Sequence, residues 1–268
     1  MTLLKSLTVA TLAAGVLVAA VPATAAVVTF AQFQSIGTRG QTYWKNDGTT
    51  ASNGSGGSIY TVSSPTSTTP GSSLVSFSFL QPSISPFVTN VSASFTLFAS
   101  VTNSPAILAA GQLIQTGIAG SFSFLTTAPL VVGTNFFAAG SNLLTGTFTT
   151  STISGKRLGT SGGYSDSGTQ GVSLTYTSDF LSFDPASSND FAISLTAITS
   201  ALQAVPSNTS PIRALRSFRA FSTGSFSADP APIVTAVPEP AVWGLMIVGF
   251  GMVGLQTRRR SRNASVVA

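Results

Sequence analysis

Val91-Ser92-Ala93-Ser94-Phe95-Thr96-Leu97-Phe98-Ala99-Ser100-Val101 decides the fold class: every odd position is apolar, and every even position except Phe98 is Ser or Thr. A period of two sends alternate side chains to opposite faces of a strand, so this segment reads as a strand with one buried face and one face wetted by hydroxyls. The same alternation returns in Val75-Ser76-Phe77-Ser78-Phe79, Ser121-Phe122-Ser123-Phe124, Leu144-Thr145-Gly146-Thr147-Phe148, Val172-Ser173-Leu174-Thr175-Tyr176 and Phe191-Ala192-Ile193-Ser194-Leu195-Thr196-Ala197. Ser and Thr take the solvent-facing role that Lys and Glu fill in most strands.

Turn chemistry punctuates these runs at Asn46-Asp47-Gly48, Asn53-Gly54-Ser55-Gly56-Gly57, Asn103-Ser104-Pro105, Ser161-Gly162-Gly163 and Phe183-Asp184-Pro185. The expectation is an all-β domain over residues 26–228, about nine or ten short antiparallel strands in a β-sandwich, with a jelly-roll-like form among the arrangements that fit. Thr49 to Ser73, rich in Gly, Ser, Thr and Pro, reads as a long surface loop within that domain. Ser-Phe-Ser recurs at Ser76, Ser121 and Ser225 without a fixed period, which argues against a solenoid or propeller.

Composition removes much chemistry. Charged residues make up 7%, against about a quarter in ordinary domains, and there is no Cys, no His and no Glu other than Glu239. A Ser-His-Asp or Cys-His triad lacks its base, the usual zinc ligands are missing, and disulfides cannot form. The basic pI of 10.1 comes from the chain ends. Between residues 26 and 237, seven Lys and Arg face six Asp, leaving the body near +1 and without a nucleic-acid footprint. No cofactor or metal is expected.

The ends carry addresses. Lys5, an apolar run from Leu7 to Val21 and Ala23-Thr24-Ala25 form a secretory signal peptide over residues 1–25. Residues 229–237, with Pro230 and Pro232, read as a stiff extended stalk. Then comes Val237-Pro238-Glu239-Pro240-Ala241-Val242-Trp243-Gly244, an uncharged stretch from Ala241 to Thr257, and Arg258-Arg259-Arg260-Ser261-Arg262. Residues 241–257 suffice for a single transmembrane helix, with Trp243 near one interface. The four arginines resist transfer through hydrocarbon and stay cytoplasmic with the short tail 263–268, which places the body outside. Pro238 and Pro240 favour extended chain above the membrane, the form a processing enzyme's cleft requires. Gly249-Phe250-Gly251-Met252-Val253-Gly254 matches a dinucleotide fingerprint in letters only, since it lies inside the span with no room for the following helix and acidic residue.

This ordered tail, 238–262, resembles the PEP-CTERM sorting signal in its PEPxxWA variant, with Gly244 where Ala is usual and six further residues after Arg262. The resemblance implies a substrate of an exosortase, a membrane-embedded transpeptidase-like enzyme. It also implies a membrane-anchored precursor later delivered to the cell envelope, surface or extracellular matrix of an exopolysaccharide-producing bacterium. Pro238, Glu239, Pro240 and Trp243 would be the processing motif, and Arg258, Arg259, Arg260 and Arg262 would set topology.

Candidates in the body are few. Asp179, Asp184 and Asp190 fall close in sequence, and such carboxylates can hydrolyse a glycosidic bond or hold calcium; each also flanks an expected strand end, where Asp serves turns. Tyr43-Trp44-Lys45-Asn46-Asp47 has the makeup for stacking on sugar rings, but the preferred reading is an aromatic pair closing one end of the domain. Arg213, Arg216 and Arg219, and Lys156-Arg157, offer contacts to acidic polysaccharide or are simply solvated. The preferred reading is a non-enzymatic surface or matrix protein. The alternative is a secreted carbohydrate-binding or Asp-dependent carbohydrate-active module, and a third is a subunit that polymerises through strand edges lacking Lys gatekeepers.

Overall fold

The computed structural model describes residues 28–37, 41–47, 56–101, 104–166, 174–184, 188–206, 213–228 and 230–232. The signal peptide 1–25, most of the stalk 229–237, the sorting signal 238–262 with its helix 241–257, and the tail 263–268 lie outside the described residues. Among the described residues no helix is long and apolar enough to cross a membrane.

Among the described residues every regular element is a strand and every pairing between strands is antiparallel, so the domain is all-β as expected. In order these are β1 Val28–Ser35, β2 Thr42–Asn46, β3 Gly57–Thr61, β4 Ser73–Phe79, β5 Val91–Val101, β6 Ala106–Ala109 and β7 Gln112–Gln115. There follow β8 Ala119–Thr126, β9 Leu130–Val132, β10 Asn135–Phe137, β11 Asn142–Phe148, β12 Thr152–Lys156, β13 Gly162–Asp166 and β14 Leu174–Thr177. The last are β15 Leu181–Ser182, β16 Asp190–Thr199, β17 Ala204–Pro206, β18 Arg213–Leu215, β19 Phe218–Ala228 and β20 Ala231–Pro232. Among the described residues twenty strands replace the nine or ten expected, because many are two to five residues long and too short to show a period.

β5 follows its sequence residue by residue. Ala93, Phe95, Leu97, Ala99 and Val101 are buried, whereas Ser92, Thr96, Phe98 and Ser100 are exposed. β16 departs from its pattern at the end: the register against β19 shifts between Thr196 and Thr199, and Ala197 takes a left-handed φ of 47°. That extra residue is a bulge, which turns Ala197 outward and gives the inward place to Ile198.

Two composite strands organise the centre. β1 and β2 run end to end along one edge of β19, and β4 and β3 along one edge of β5. β1 pairs β4 and β2 pairs β3, so a doubled, twice-interrupted ribbon joins the two longest strands. The start of β2 and the end of β3 are tied by the Val62 N–H donating to the Gln41 carbonyl at 2.8 Å. Backbone groups facing the gaps must still be satisfied. The Ser35 hydroxyl donates to the Ser222 carbonyl at 2.8 Å and accepts from its N–H at 3.3 Å, while Leu97 N–H donates to the Thr61 hydroxyl at 3.0 Å.

β8, β11 and β14 continue beyond β5, and β16, β13, β12, β7, β6, β18 and β17 continue beyond β19. The sheet folds over so that these two wings face each other across aromatic rings. Phe122 of β8 and Phe148 of β11 meet Phe191 of β16 at 5.6 and 5.2 Å, and Tyr176 of β14 meets Phe226 of β19 at 6.2 Å. At the fold, Phe33 of β1 lies 4.9 Å from both Phe95 and Phe124, which stack on each other at 4.5 Å. Edge-to-face and offset rings of this kind fill a core with few rotamers to freeze.

Three sequence readings are corrected. Thr49 to Ser73 is not all surface loop: Gly57–Thr61 is the inner strand β3, buried along its length. Its composition hid it because Gly57 must be Gly; a Cβ there would lie 2.2 Å from the Trp44 ring. Ser161-Gly162-Gly163 is not a turn, since Gly162 and Gly163 begin β13 beneath Ser154, where a Cβ on Gly162 would sit 2.8 Å from the Ser154 carbonyl. The turn comes earlier, with Leu158 at a φ of 63°. At the other end, Ala231–Pro232 is extended but pairs with β15, and the Gln81 side-chain amide donates to the Pro230 carbonyl at 2.5 Å, so the start of the stalk is docked on the domain.

Candidate functional site

The processing residues Pro238, Glu239, Pro240 and Trp243 and the topology residues Arg258, Arg259, Arg260 and Arg262 lie outside the described residues. The body's candidates do not converge. Asp179 caps the start of β11, accepting from Asn142 N–H at 2.7 Å. Asp184 is exposed after β15, and Asp190 opens β16, where burial pushes its carboxyl above the ordinary value against the Phe191 N–H, which pulls it back. Among the described residues no three acidic side chains gather where they could hold a metal ion.

The Tyr43-Trp44 pair is split between the two faces of β2. Trp44 is wholly buried, and its indole N–H donates to the Leu215 carbonyl at 3.0 Å. Tyr43 faces outward, in an outer row that runs straight across four strands: Arg219 of β19, Tyr43, Tyr60 of β3 and Phe98 of β5. The Arg219 guanidinium sits 4.5 Å over the Tyr43 ring, Tyr43 meets Tyr60 edge-on at 5.5 Å, and Tyr60 stacks toward Phe98 at 6.4 Å. Segment 62–72 folds over this row as a strap. Arg219 donates to the Ser67 carbonyl, and the Tyr60 hydroxyl donates to the Thr68 carbonyl at 2.5 Å. Burial under the strap pushes the Tyr60 phenol up, with smaller upward contributions from Tyr43 and Asp47.

Arg216 and Arg219 are engaged separately. Arg219 serves the strap, and Arg216 donates to the Gln203 side-chain oxygen at 3.1 Å. Arg213 contributes backbone pairing to β6 and β17. Lys156 and Arg157 are exposed at the turn after β12.

What the structure adds is a groove the sequence reading passed over. On the outer face of β4, β1, β19 and β16 a concavity of about 510 Å³ is lined by Gln32, Gln34, Ser76, Ser78, Asn90, Ser194, Thr223 and Ser225, with Ala192 and the edges of Phe33 and Gly224. That volume is in the range of small-ligand sites. The side chains stand in two registered rows, Ser78-Gln32-Ser225-Ala192 and Ser76-Gln34-Thr223-Ser194. Asn90, at a φ of 55°, forms one rim. Its N–H donates to the Ser78 hydroxyl at 2.8 Å, and its side-chain oxygen accepts from Ser76 and Ser78 at 3.4 Å. The available sequence signal was Ala31-Gln32-Phe33-Gln34, an alternating strand whose outer residues are amides in a chain that otherwise uses Ser and Thr.

Comparison of the chain with protein-family models, with curated proteins and with solved structures finds no match.

Proposed function

We propose that this is an exported, non-enzymatic surface or extracellular-matrix protein, sorted by an exosortase-type membrane transpeptidase. The observation that carries the reading is the ordered tail: Pro238-Glu239-Pro240, Trp243, the uncharged span 241–257 and Arg258, Arg259, Arg260 and Arg262. A leader with Lys5 and an apolar run agrees with it, because both ends then specify export. The body, read as a β-sandwich made by one folded-over sheet, is suited to an extracellular scaffold. Its strands present hydroxyls, and of its three acidic candidates Asp179 is engaged as a cap at the start of β11. The precursor is membrane-anchored through 241–257, and the mature body is delivered to the envelope, cell surface or matrix.

The test is the intact mass and fractionation of the chain in a bacterial host with and without an exosortase. A mature form that begins near Ala26, ends near Pro238 and reaches the envelope or matrix only with the enzyme supports sorting. Retention of the Arg tail in both hosts would leave the C-terminus as a plain anchor.

A second reading, a carbohydrate-binding module, is favoured by one observation, the uncharged groove on β4, β1, β19 and β16.

A further inference from the structure

We infer that this groove is a binding site for a neutral polysaccharide, a ligand rich in hydroxyls and free of charge. The inference is independent of how the tail is processed.

The groove's chemistry eliminates the other ligand classes. No Lys or Arg lines it, so a polyanion gains nothing there, and no Asp or Glu lines it to attract a polycation. Asp190, one row further along β16, and Arg219, further along β19, stand outside both rows. An apolar ligand needs exposed hydrophobic area, yet Phe33 is only 3% exposed and Ala192 is small. An extended peptide that adds a strand needs a free sheet edge, but β1 and β19 are paired on both sides and their backbone groups are used.

What remains on offer is a set of neutral hydrogen-bonding groups. Gln32, Gln34, Ser194, Thr223 and Ser225 make no side-chain hydrogen bond to another described residue. Each amide presents two donors and an acceptor, and each hydroxyl presents both functions, which complements sugar hydroxyls, themselves donors and acceptors. The Asn90 amide oxygen is engaged by two serines, leaving its two N–H donors for other partners.

The layout suits a polymer. Each row crosses four strands, spanning about 14 Å at the usual strand spacing, and the rows are about 7 Å apart along the strands. A linear chain lying across the strands can contact both rows along the length of a short oligosaccharide. The backbone beneath is the centre of the sheet, so the rows are held in register without ligand, and little ordering entropy is lost on binding.

The test uses the full-length chain in mild detergent, run through native affinity gels containing hydroxyethyl cellulose, galactomannan or dextran, with alginate as the charged comparator. The expected result is retardation by at least one neutral polymer, unchanged between low and high salt. Gln32→Ala and Gln34→Ala should each weaken it about fivefold, the size of one neutral hydrogen bond. Ala192→Trp, at an exposed outer position, should block the groove and abolish retardation, while Thr96→Ala on the outer face of β5 should leave it unchanged. Circular dichroism confirms that each variant is folded. The proposal is overturned if no neutral polymer retards the chain, if alginate alone does, or if the groove variants are retarded like the parent. None of these outcomes bears on the processing of the tail, which is read separately by intact mass.

Discussion

The outer face of the central ribbon has two halves, and they solve the same problem in opposite ways. Over β4, β1, β19 and β16 it presents amides and hydroxyls and stays open; over β19, β2, β3 and β5 it presents Arg219, Tyr43, Tyr60 and Phe98 and is strapped down by segment 62–72. β19 contributes to both, so the difference comes from side chains and not from backbone. Hydroxyls can be left to water at no cost, whereas a row of rings needs cover, and here the cover is a loop whose carbonyls are matched to Arg219 and Tyr60. Phe98, at the end of the row, stays 52% exposed.

The largest effect should come from the core shared by both halves. Phe124→Ala removes a ring packed on Phe33, Phe77, Phe95, Phe122 and Phe226, and should cost about 3–5 kcal/mol in urea unfolding. A loss of that size would weaken the two halves together; a much smaller loss would mean the wings are independently stable.

Alkaline pH probes the same core without mutation. Burial pushes the phenols of Tyr164 and Tyr176 well above their ordinary value of 10.0. The unfolded chain therefore ionises these groups first, so their contribution to stability is complete below pH 10 and is lost as pH rises beyond it. Each phenol should remove about 1 kcal/mol between pH 10 and 11, approaching about 1.4 kcal/mol per pH unit above that, seen as a falling Tm in thermal melts. A flat Tm would show that both rings reach solvent.

The contrast between halves is tested on β19 itself. Arg219→Ala loses the stack on Tyr43 and the bond to Ser67, and should cost about 1–3 kcal/mol while making segment 62–72 sensitive to proteinase K. Tyr60→Phe removes only the hydroxyl that donates to Thr68, for about 1 kcal/mol by chemical denaturation. Thr223→Ala in the open half should change stability by less than about 0.5 kcal/mol. Equal costs for Arg219→Ala and Thr223→Ala would erase the distinction drawn between the halves.

Strand existence was legible wherever alternation ran long enough. β5 matches its sequence pattern at every buried position, and β4, β8 and β11 lie where the Ser-Phe and Leu-Thr runs put them. β3 was not legible, because Gly57 and Ser58 look like loop residues until the Trp44 ring above Gly57 is known. The two faces of β2 were equally hidden. Tyr43 and Trp44 are neighbours in sequence, and adjacency suggested a shared stacking surface, but a strand sends consecutive residues to opposite sides. The groove escaped notice for a different reason: Gln32, Gln34, Asn90, Ser194 and Thr223 are unremarkable singly and meet only through pairing across 190 residues of chain.

The sequence by itself determined that the body of the chain is all-β, that its wet faces are hydroxyl-rich and nearly uncharged, and that histidine- and cysteine-based chemistry is absent. Those properties depend on composition and on a period of two, both local. Only the tertiary structure decided that one sheet folds over on itself, that two broken strands join β5 to β19, and that one half of their outer face is covered while the other is open. Those outcomes depend on register between distant strands, and register is fixed by which rings fill the space between the wings, a property of the packed whole and of no single segment.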